Sequence, residues 1–542
     1  MSRRLFFALV AVGLGWRLWM LTHYGLVSGG EVDVYLADEG VVGLMGKHIA
    51  EGRALPVFFY GQSYLGALEA YCAAASFAVF GYGFLALRLV TFGFSIATGV
   101  LLYRFAHRFY SVSAARWSTA LVAVAPMYFL QWNLKARGGF VEHVVLVLAV
   151  MLLFWRFYLY HQRDRATAFG LGLVSGIALW VNQLVAAYLV AMGLLLVLRR
   201  EDRRGWRHAA AGLALGSCLL LGYNIVHPLA TVRSLARKAL VMNRVEVEER
   251  DHNWAVRGLA ARVEALGDGL DKLGIVFGVP PGADVERLGM SQDSRTGGPL
   301  APLRRVLFFV PLGVFGAGLW AARPRRGRAG WDVIGSDQLL GLFALVTFVV
   351  GYVSPRYMLP AYPLGALMAG VLAARAQGAP GRVLRAGIAG ALLLNLASWV
   401  DAASLPAAAD EGRGRQLLAF LEGRGIGACY SASPLYHLSF ASAERVVFAP
   451  LQKDRYPAYD AAVETADSIC YVFRDDQTTK RQHLALLGLL EGRRVRYAEQ
   501  RVGPYRVLYD FEPRRAIRAA DVDAVRGAQV VNAEPPDDPE AE

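Results

Sequence analysis

The chain opens on RRLFFALVAVGLGWRLWML (residues 3–21), an apolar run behind a pair of arginines. A stretch of about 18 apolar residues is long enough to cross a bilayer as a helix. Arg17 interrupts the run and no small-residue cleavage site follows, so it reads as a retained span rather than a removable signal peptide. Similar runs recur at 85–103, 117–134, 141–160, 167–181, 184–198, 209–226, 304–321, 338–353, 358–374 and 385–401. They account for the composition. Of 542 residues, 55% are hydrophobic and 19% charged, where a soluble domain averages about 25% charged; the mean hydropathy is +0.35. The expected fold class is a multi-span α-helical membrane protein.

Charge divides the chain. Residues 1–401 hold 39 basic and 23 acidic residues, while 402–542 hold 18 and 21 and contain no run long enough to span. A transmembrane domain is expected over 1–401, an α/β domain over 402–513 and a disordered tail over 514–542. Basic loops mark the cytoplasmic side, and six clusters stand out: Arg3/Arg4, Arg104–Arg116, Arg163/Arg165, Arg199–Arg207, Arg323–Arg328 and Arg375–Arg385. Placing all six inside requires an even number of crossings between neighbours, yet three runs (5–22, 64–80, 85–103) separate the first two. The middle run is about 17 residues, near the short limit for a span, and carries Glu69. It is assigned to a helix on the outer surface. Eleven spans remain, with the N-terminus cytoplasmic and the C-terminal domain outside. The basic excess then belongs to the loops and not to a nucleic-acid surface.

Between the spans, apolar residues from Val256 to Leu273 recur at three and four, as in an amphipathic helix. In the C-terminal domain, helices at 413–423 and 477–491 alternate with strands at 427–431, 445–449, 468–473, 493–499 and 503–510. Cys429 and Cys470 fall on two of these strands. Outside the cytoplasm a disulfide is open to them, with two free buried thiols as the alternative. Cys72 and Cys218 lie in membrane segments as packing residues.

No phosphate-binding loop, H-E-x-x-H or C-x-x-C motif is present, and no metal site is expected. Chemistry concentrates in four outer stretches. GEVDVYLADEG (30–40) puts four carboxylates directly after the first span, ahead of a short amphipathic helix that ends at Glu51-Gly52. Asp38 either caps that helix, with Glu39 suiting its positive end, or serves as a catalytic acid; a cap also fixes where a carboxylate points. FFYGQSYLGALE (58–69) opens the surface helix with Gln62 and Tyr64, groups that hydrogen-bond sugars or phosphates. Its Glu69 needs a partner or a water-facing side. KARGGFVEH (135–143) is an outer turn whose Lys135 and Arg137 run against the positive-inside trend and suit an anion, with Glu142 beside them. SPRY (354–357) offers Arg356 and Tyr357, as anion ligands or as interfacial anchors.

At these residues the chain resembles the GT-C superfamily of integral-membrane glycosyltransferases, in the branch of protein O-mannosyltransferases and lipid A aminoarabinose transferases. The resemblance runs over roughly residues 1–375. It rests on Asp38-Glu39 and the helix after them, Gly61-Gln62 to Glu69, Phe80-Gly81 and Ala86-Leu87-Arg88-Leu89, and continues through Tyr103 to Arg356-Tyr357 with Pro360 and Pro363. The chain departs from the family at Gly61-Gln62-Ser63-Tyr64, where members often carry a Pro-containing basic motif. It also has Glu142 where many carry an Asp in the second outer loop.

The resemblance implies transfer of a sugar from a polyprenyl-phosphate donor to an extracytoplasmic glycan, lipid or protein, with inversion. Phosphate is a good leaving group, so one carboxylate base is enough. Asp38 would be that base, with Glu39 or Asp33 its neighbour or stand-in. Lys135, Arg137, Arg356 and Tyr357 would hold the phosphate. The lipid-linked donor is the co-substrate implied, a divalent metal is left open, and the location implied is a bacterial-type inner membrane. The rival class is a transporter or flippase of envelope glycan precursors, which would place charges near mid-bilayer on broken helices. Arg17 is the clearest mid-span charge, Arg156 lies nearer an inner end, and the Asn182-Gln183 break is expected at a surface. A scaffold without catalysis is the third class.

Overall fold

A computed structural model of the protein describes residues 1–27, 32–162, 164–198, 205–236, 269–270, 272–278, 335–351, 354–404, 410–451, 455–474, 477–513 and 525. The expected span at 304–321, most of the helix expected at 256–273 and nearly all of the 514–542 tail lie outside the described residues. The chain forms two compact units, one of residues 1–29 and 45–407, the other of 30–44 and 408–542.

In chain order the helical elements start with α1 (Arg3–Val27) and α2 (Val32–Ala50), then a hairpin of β1 (Phe58–Phe59) and β2 (Gln62–Gly66). There follow α3 (Leu68–Phe80), α4 (Phe84–Phe109), α5 (Val112–Ala123), α6 (Met127–Leu134), α7 (Phe140–Tyr158), α8 (Arg165–Val181) and α9 (Val185–Leu198). Next come α10 (Trp206–Gly216), α11 (Cys218–Val226), α12 (Ser336–Gly351), α13 (Ala361–Arg375) and α14 (Gly378–Ser404). Among the described residues, four helices are long and apolar enough to cross a membrane: Arg3–Thr22, α4, α7 and Gly378–Val400. The pair α10 and α11, bent by 61°, makes a fifth if it is one span. Helices α3, α8, α9, α12 and α13 are shorter and apolar.

Two expectations change here. The run at 64–80 is not one helix: Gln62–Gly66 pairs with Phe58–Phe59 as a strand, and α3 starts only at Leu68. A Cβ on Gly66 would strike the backbone of Trp180 and Val181, so the strand lies directly on the end of α8. Close backbone approach also joins α8 to α10. Gly172 and Gly176 face Gly212 and Gly216, and a Cβ on any of the four would overlap a backbone carbonyl of the other helix. Small residues spaced by four are how helices pack in lipid, where the gain is contact rather than water release.

The run at 117–134 is broken at Pro126, which has no N–H for the carbonyl four residues back. Bare carbonyls in lipid cost several kcal/mol each, roughly, and here side chains meet five in a row. Tyr362 Oη donates to Leu121 O at 2.8 Å. Arg17 donates to Val122 O at 2.6 Å and to Ala123 O at 2.5 Å. Asn395 Nδ2 reaches Val124 O at 2.8 Å, and Trp399 Nε1 reaches Ala125 O at 3.0 Å. Arg17 also bonds Gly13 O and Ser95 Oγ, at 3.0 and 3.1 Å. The mid-span charge thus has a structural use, as the clamp of a broken helix. Replacing Arg17 with Leu strands two buried acceptors at about 1–3 kcal/mol each. We expect a loss on the order of 3–5 kcal/mol, read as a lower melting temperature in detergent; parental melting would show that the carbonyls find other donors.

The second unit carries a mixed sheet of β3 (Ala428–Ser431), β4 (Val447–Pro450), β5 (Ile469–Arg474), β6 (Arg496–Val502) and β7 (Tyr505–Glu512), in the order β4-β3-β5-β7-β6. The first three strands are parallel and β7 is antiparallel to both its neighbours. Helix Asp410–Gly423 leads into β3, and helices Tyr436–Ala441, Ala458–Thr465 and Gln477–Gly492 connect successive strands up to β6. Cys429 and Cys470 stand opposite each other in the β3–β5 register and are disulfide-bonded, with Cα atoms 4.5 Å apart. Two free thiols are therefore not what these strands hold. Cys72 and Cys218 are free.

Candidate active site

The acidic stretch folds as helix from Val32, so Asp38 lies in the second turn of α2 and caps nothing. Successive helical residues turn by about 100°, and the neighbours differ accordingly: Asp38 is half-buried and Glu39 is fully buried. Asp38 forms an ion pair with Arg455 through Oδ1 and Nη1. Asp33 falls in the first turn, and its side chain lies outside the described residues. All of these belong to the second unit.

In the first unit the KARGGFVEH turn links α6 to α7. Leu134 ends α6, and its carbonyl accepts from the Thr91 hydroxyl of α4 at 2.9 Å. Gly138 and Gly139 follow with φ of +72° and +80°, a region strained for residues with a side chain. The Gly138 N–H donates to Glu69 Oε2 at 2.7 Å, and Asn182 Nδ2 donates to the Gly139 carbonyl at 3.2 Å. Glu69 therefore points inward from α3 and ties down the turn; it has no water-facing role. Asn182 is buried too, so the α8–α9 break is packed against the basic turn.

The turn is not exposed at all. Relative exposures are 1% for Lys135, 5% for Arg137, 0% for Glu142, 2% for His143 and 1% for Glu69. Side chains that anchor a protein at a membrane surface keep their charged ends in water, so the anchor reading does not fit Lys135 or Arg137. Arg356 is half-buried and Tyr357 buried, on a short 3-10 turn (Pro355–Met358) between α12 and α13.

The structure joins these cations through aromatic rings. The Arg137 guanidinium sits 3.9 Å from the Trp132 ring centroid. Trp132 meets Phe140 edge-on at 5.3 Å, and Phe140 stacks on Tyr357 at 6.1 Å. Arg356 closes the series, 5.1 Å from the Tyr357 ring and 6.0 Å from that of Phe140. A guanidinium attracted to a ring is held in place by it, and a guanidinium's planar N–H fork suits a phosphate. Trp132 and Phe140 were not among the expected site residues. The signal for Trp132 is an aromatic residue in the polar end of an apolar run, QWNLKAR (131–137). Gln62 and Tyr64 stand half-buried on β2. Among the described residues, no three His, Cys, Asp or Glu side chains gather as a metal-ligand set.

Residues 67–226 match the family model of dolichyl-phosphate-mannose-protein mannosyltransferases. That stretch takes in Glu69, Lys135, Arg137 and Glu142. The whole chain is similar in structure to ArnT from Cupriavidus metallidurans bound to undecaprenyl phosphate, at 15% identity and a TM-score of 0.53, over 94% of this chain and 98% of that one. The chain resembles the GT-C glycosyltransferases. A second GT-C likeness is to the Archaeoglobus fulgidus oligosaccharyltransferase in the apo form, at 12% identity and a TM-score of 0.51, over 90% of this chain and 71% of that one. No curated protein matches by sequence. The ArnT likeness covers 94% of this chain and so reaches beyond residues 1–375, whose motifs carry the family resemblance.

Proposed function

We propose that the protein transfers a sugar from a polyprenyl-phosphate carrier to an acceptor hydroxyl outside the cytoplasm. The observation that carries this is the buried cation cluster of Lys135 and Arg137 in a GT-C fold. Buried cations gathered on one turn suit an anion, and a lipid phosphate is an anion carried within the membrane. In the reaction the acceptor oxygen attacks the anomeric carbon from the side opposite the phosphate and gives its proton to Asp38. The bond from the anomeric carbon to the phosphate oxygen breaks with its electron pair, and the polyprenyl phosphate leaves. Arg137, Arg356 and Lys135 hold the charge that grows on it. Glu39 lies beside the base, with Asp33 as stand-in. Gln62 and Tyr64 suit sugar hydroxyls, Glu69 braces the basic turn, and Glu142 follows that turn as a further polar group for the substrate. The transporter alternative loses its strongest support, because the mid-span Arg17 is engaged in clamping the α5–α6 break.

Incubating the purified protein in nanodiscs with polyprenyl-phosphate sugars extracted from the parent strain's membranes should release free polyprenyl phosphate. A deletion strain should lack one envelope glycan that its parent makes. Movement of intact lipid-linked sugar across a vesicle, with no release of polyprenyl phosphate, would favour the transporter.

An eleven-span topology with the N-terminus cytoplasmic and the α/β domain outside goes with this reaction, and the Cys429–Cys470 bond suits an oxidising compartment. A reporter active only in the cytoplasm, fused after Asp401, should be silent. Cysteine labels at both ends of α3 should react from outside, and activity of the reporter or protection of one end would overturn the arrangement.

A further inference from the structure

The acidic stretch belongs to the α/β unit by contact as well as by grouping. A Cβ on Gly40 would strike the Tyr436 carbonyl carbon and the His437 backbone, so α2 rests directly on the start of helix Tyr436–Ala441. Three residues on, on the same face, Gly43 lies against the Phe440 ring. The fully buried Tyr436 also reaches the other way, and its hydroxyl accepts from the Arg455 backbone N–H at 2.7 Å. One residue therefore sets both the seat of α2 and the place of Arg455. From there the Arg455 guanidinium reaches Asp38 Oδ1, the single contact of that carboxylate among the described residues. Oδ2 remains open, and the Asp38 side chain keeps 39% of its exposure.

We propose that Arg455 is a positioning residue for transfer: it holds Asp38 by Oδ1 so that Oδ2 faces the acceptor hydroxyl and takes its proton. This rests on Asp38 being the base. An end-on ion pair to one oxygen fixes the direction of a carboxylate without covering the other oxygen, and misplacing a reacting group by about 1 Å can cost roughly 10²-fold.

The test measures release of polyprenyl phosphate from the parent strain's extracted lipid-linked sugars, with Asp38→Asn, Arg455→Ala, Arg455→Lys and the Asp38→Asn/Arg455→Ala pair in nanodiscs at equal folded protein. Arg455→Ala should lower kcat by about 10–100-fold with the KM for donor nearly unchanged. Arg455→Lys should recover most of it, because a single contact needs a single donor. The double variant should be no slower than Asp38→Asn alone, since a residue acting through another adds nothing once that one is gone. Should Arg455→Ala fail to fold, Arg455→Gln takes its place in the series. Parental or faster kcat for Arg455→Ala, or additive losses in the pair, overturns the positioning role even if Asp38→Asn is inactive. Parental turnover by Asp38→Asn instead overturns the choice of base.

Discussion

Asp38→Asn abolishes most transfer while leaving a folded, membrane-inserted protein: kcat should fall by about 10²–10⁴, the span of a general base. The substitution is a clean one. Asparagine has the same shape, and its Oδ1 can still accept from Arg455, so the ion-pair site keeps a hydrogen bond and the seat of α2 on Gly40 is untouched. What is lost is the proton acceptor. The measurement is initial rate at saturating donor, beside a size-exclusion profile that reports folding. Near-parental turnover would move the base to Asp33, Glu69 or Glu142. Of these, Glu69 is already engaged by the Gly138 N–H.

Arg356→Ala and Arg137→Ala should each lower transfer at saturating donor by about 10²–10³, the usual cost of removing one contact to charge that develops in a transition state. The two ends of the Trp132–Phe140–Tyr357 ring series hold these guanidiniums against aromatic rings, so a substitution at either end removes a donor whose place is fixed by packing. Arg356→Lys should recover only part of the loss, because an ammonium is a point charge without the planar fork. A rise in KM with kcat unchanged would mean that the residue binds ground state and transition state alike. If both alanine variants keep parental rates at equal protein, the leaving phosphate is held elsewhere.

The apolar runs were legible because a span is decided locally, by the hydropathy of some twenty neighbouring residues. The lone cations of 135–143 and 354–357 stand out for the opposite reason, since on the expected topology they break a rule of loop charge. What local reading could not supply was partnership at long range. Phe140 meets Tyr357, and Asp38 meets Arg455 at a separation of 417 residues. The early start of α2 shows tertiary contact overriding propensity: VDVY (32–35) is rich in β-branched residues, yet it is helical in a segment seated on another helix by Gly40 and Gly43. The short helix Ala458–Thr465 was missed although Pro457, at its N-cap, marks a helix start. The hairpin at 58–66 had its signal in Gly61, whose φ of +72° turns one strand into the next.

The break at Pro126 also bears on how the chain is built. Three of the five carbonyls around it are met by Tyr362, Asn395 and Trp399, which follow them by 241, 271 and 274 residues. At a synthesis rate of about 5–20 residues per second, those donors emerge from the ribosome on the order of tens of seconds after the acceptors. During that interval Arg17 is, among the described residues, the side chain that meets the joint's carbonyls. The middle of the bundle is thus finished last, by the two helices inserted nearest its end. A nascent chain halted before residue 361 still lacks the donors that meet the Leu121, Val124 and Ala125 carbonyls.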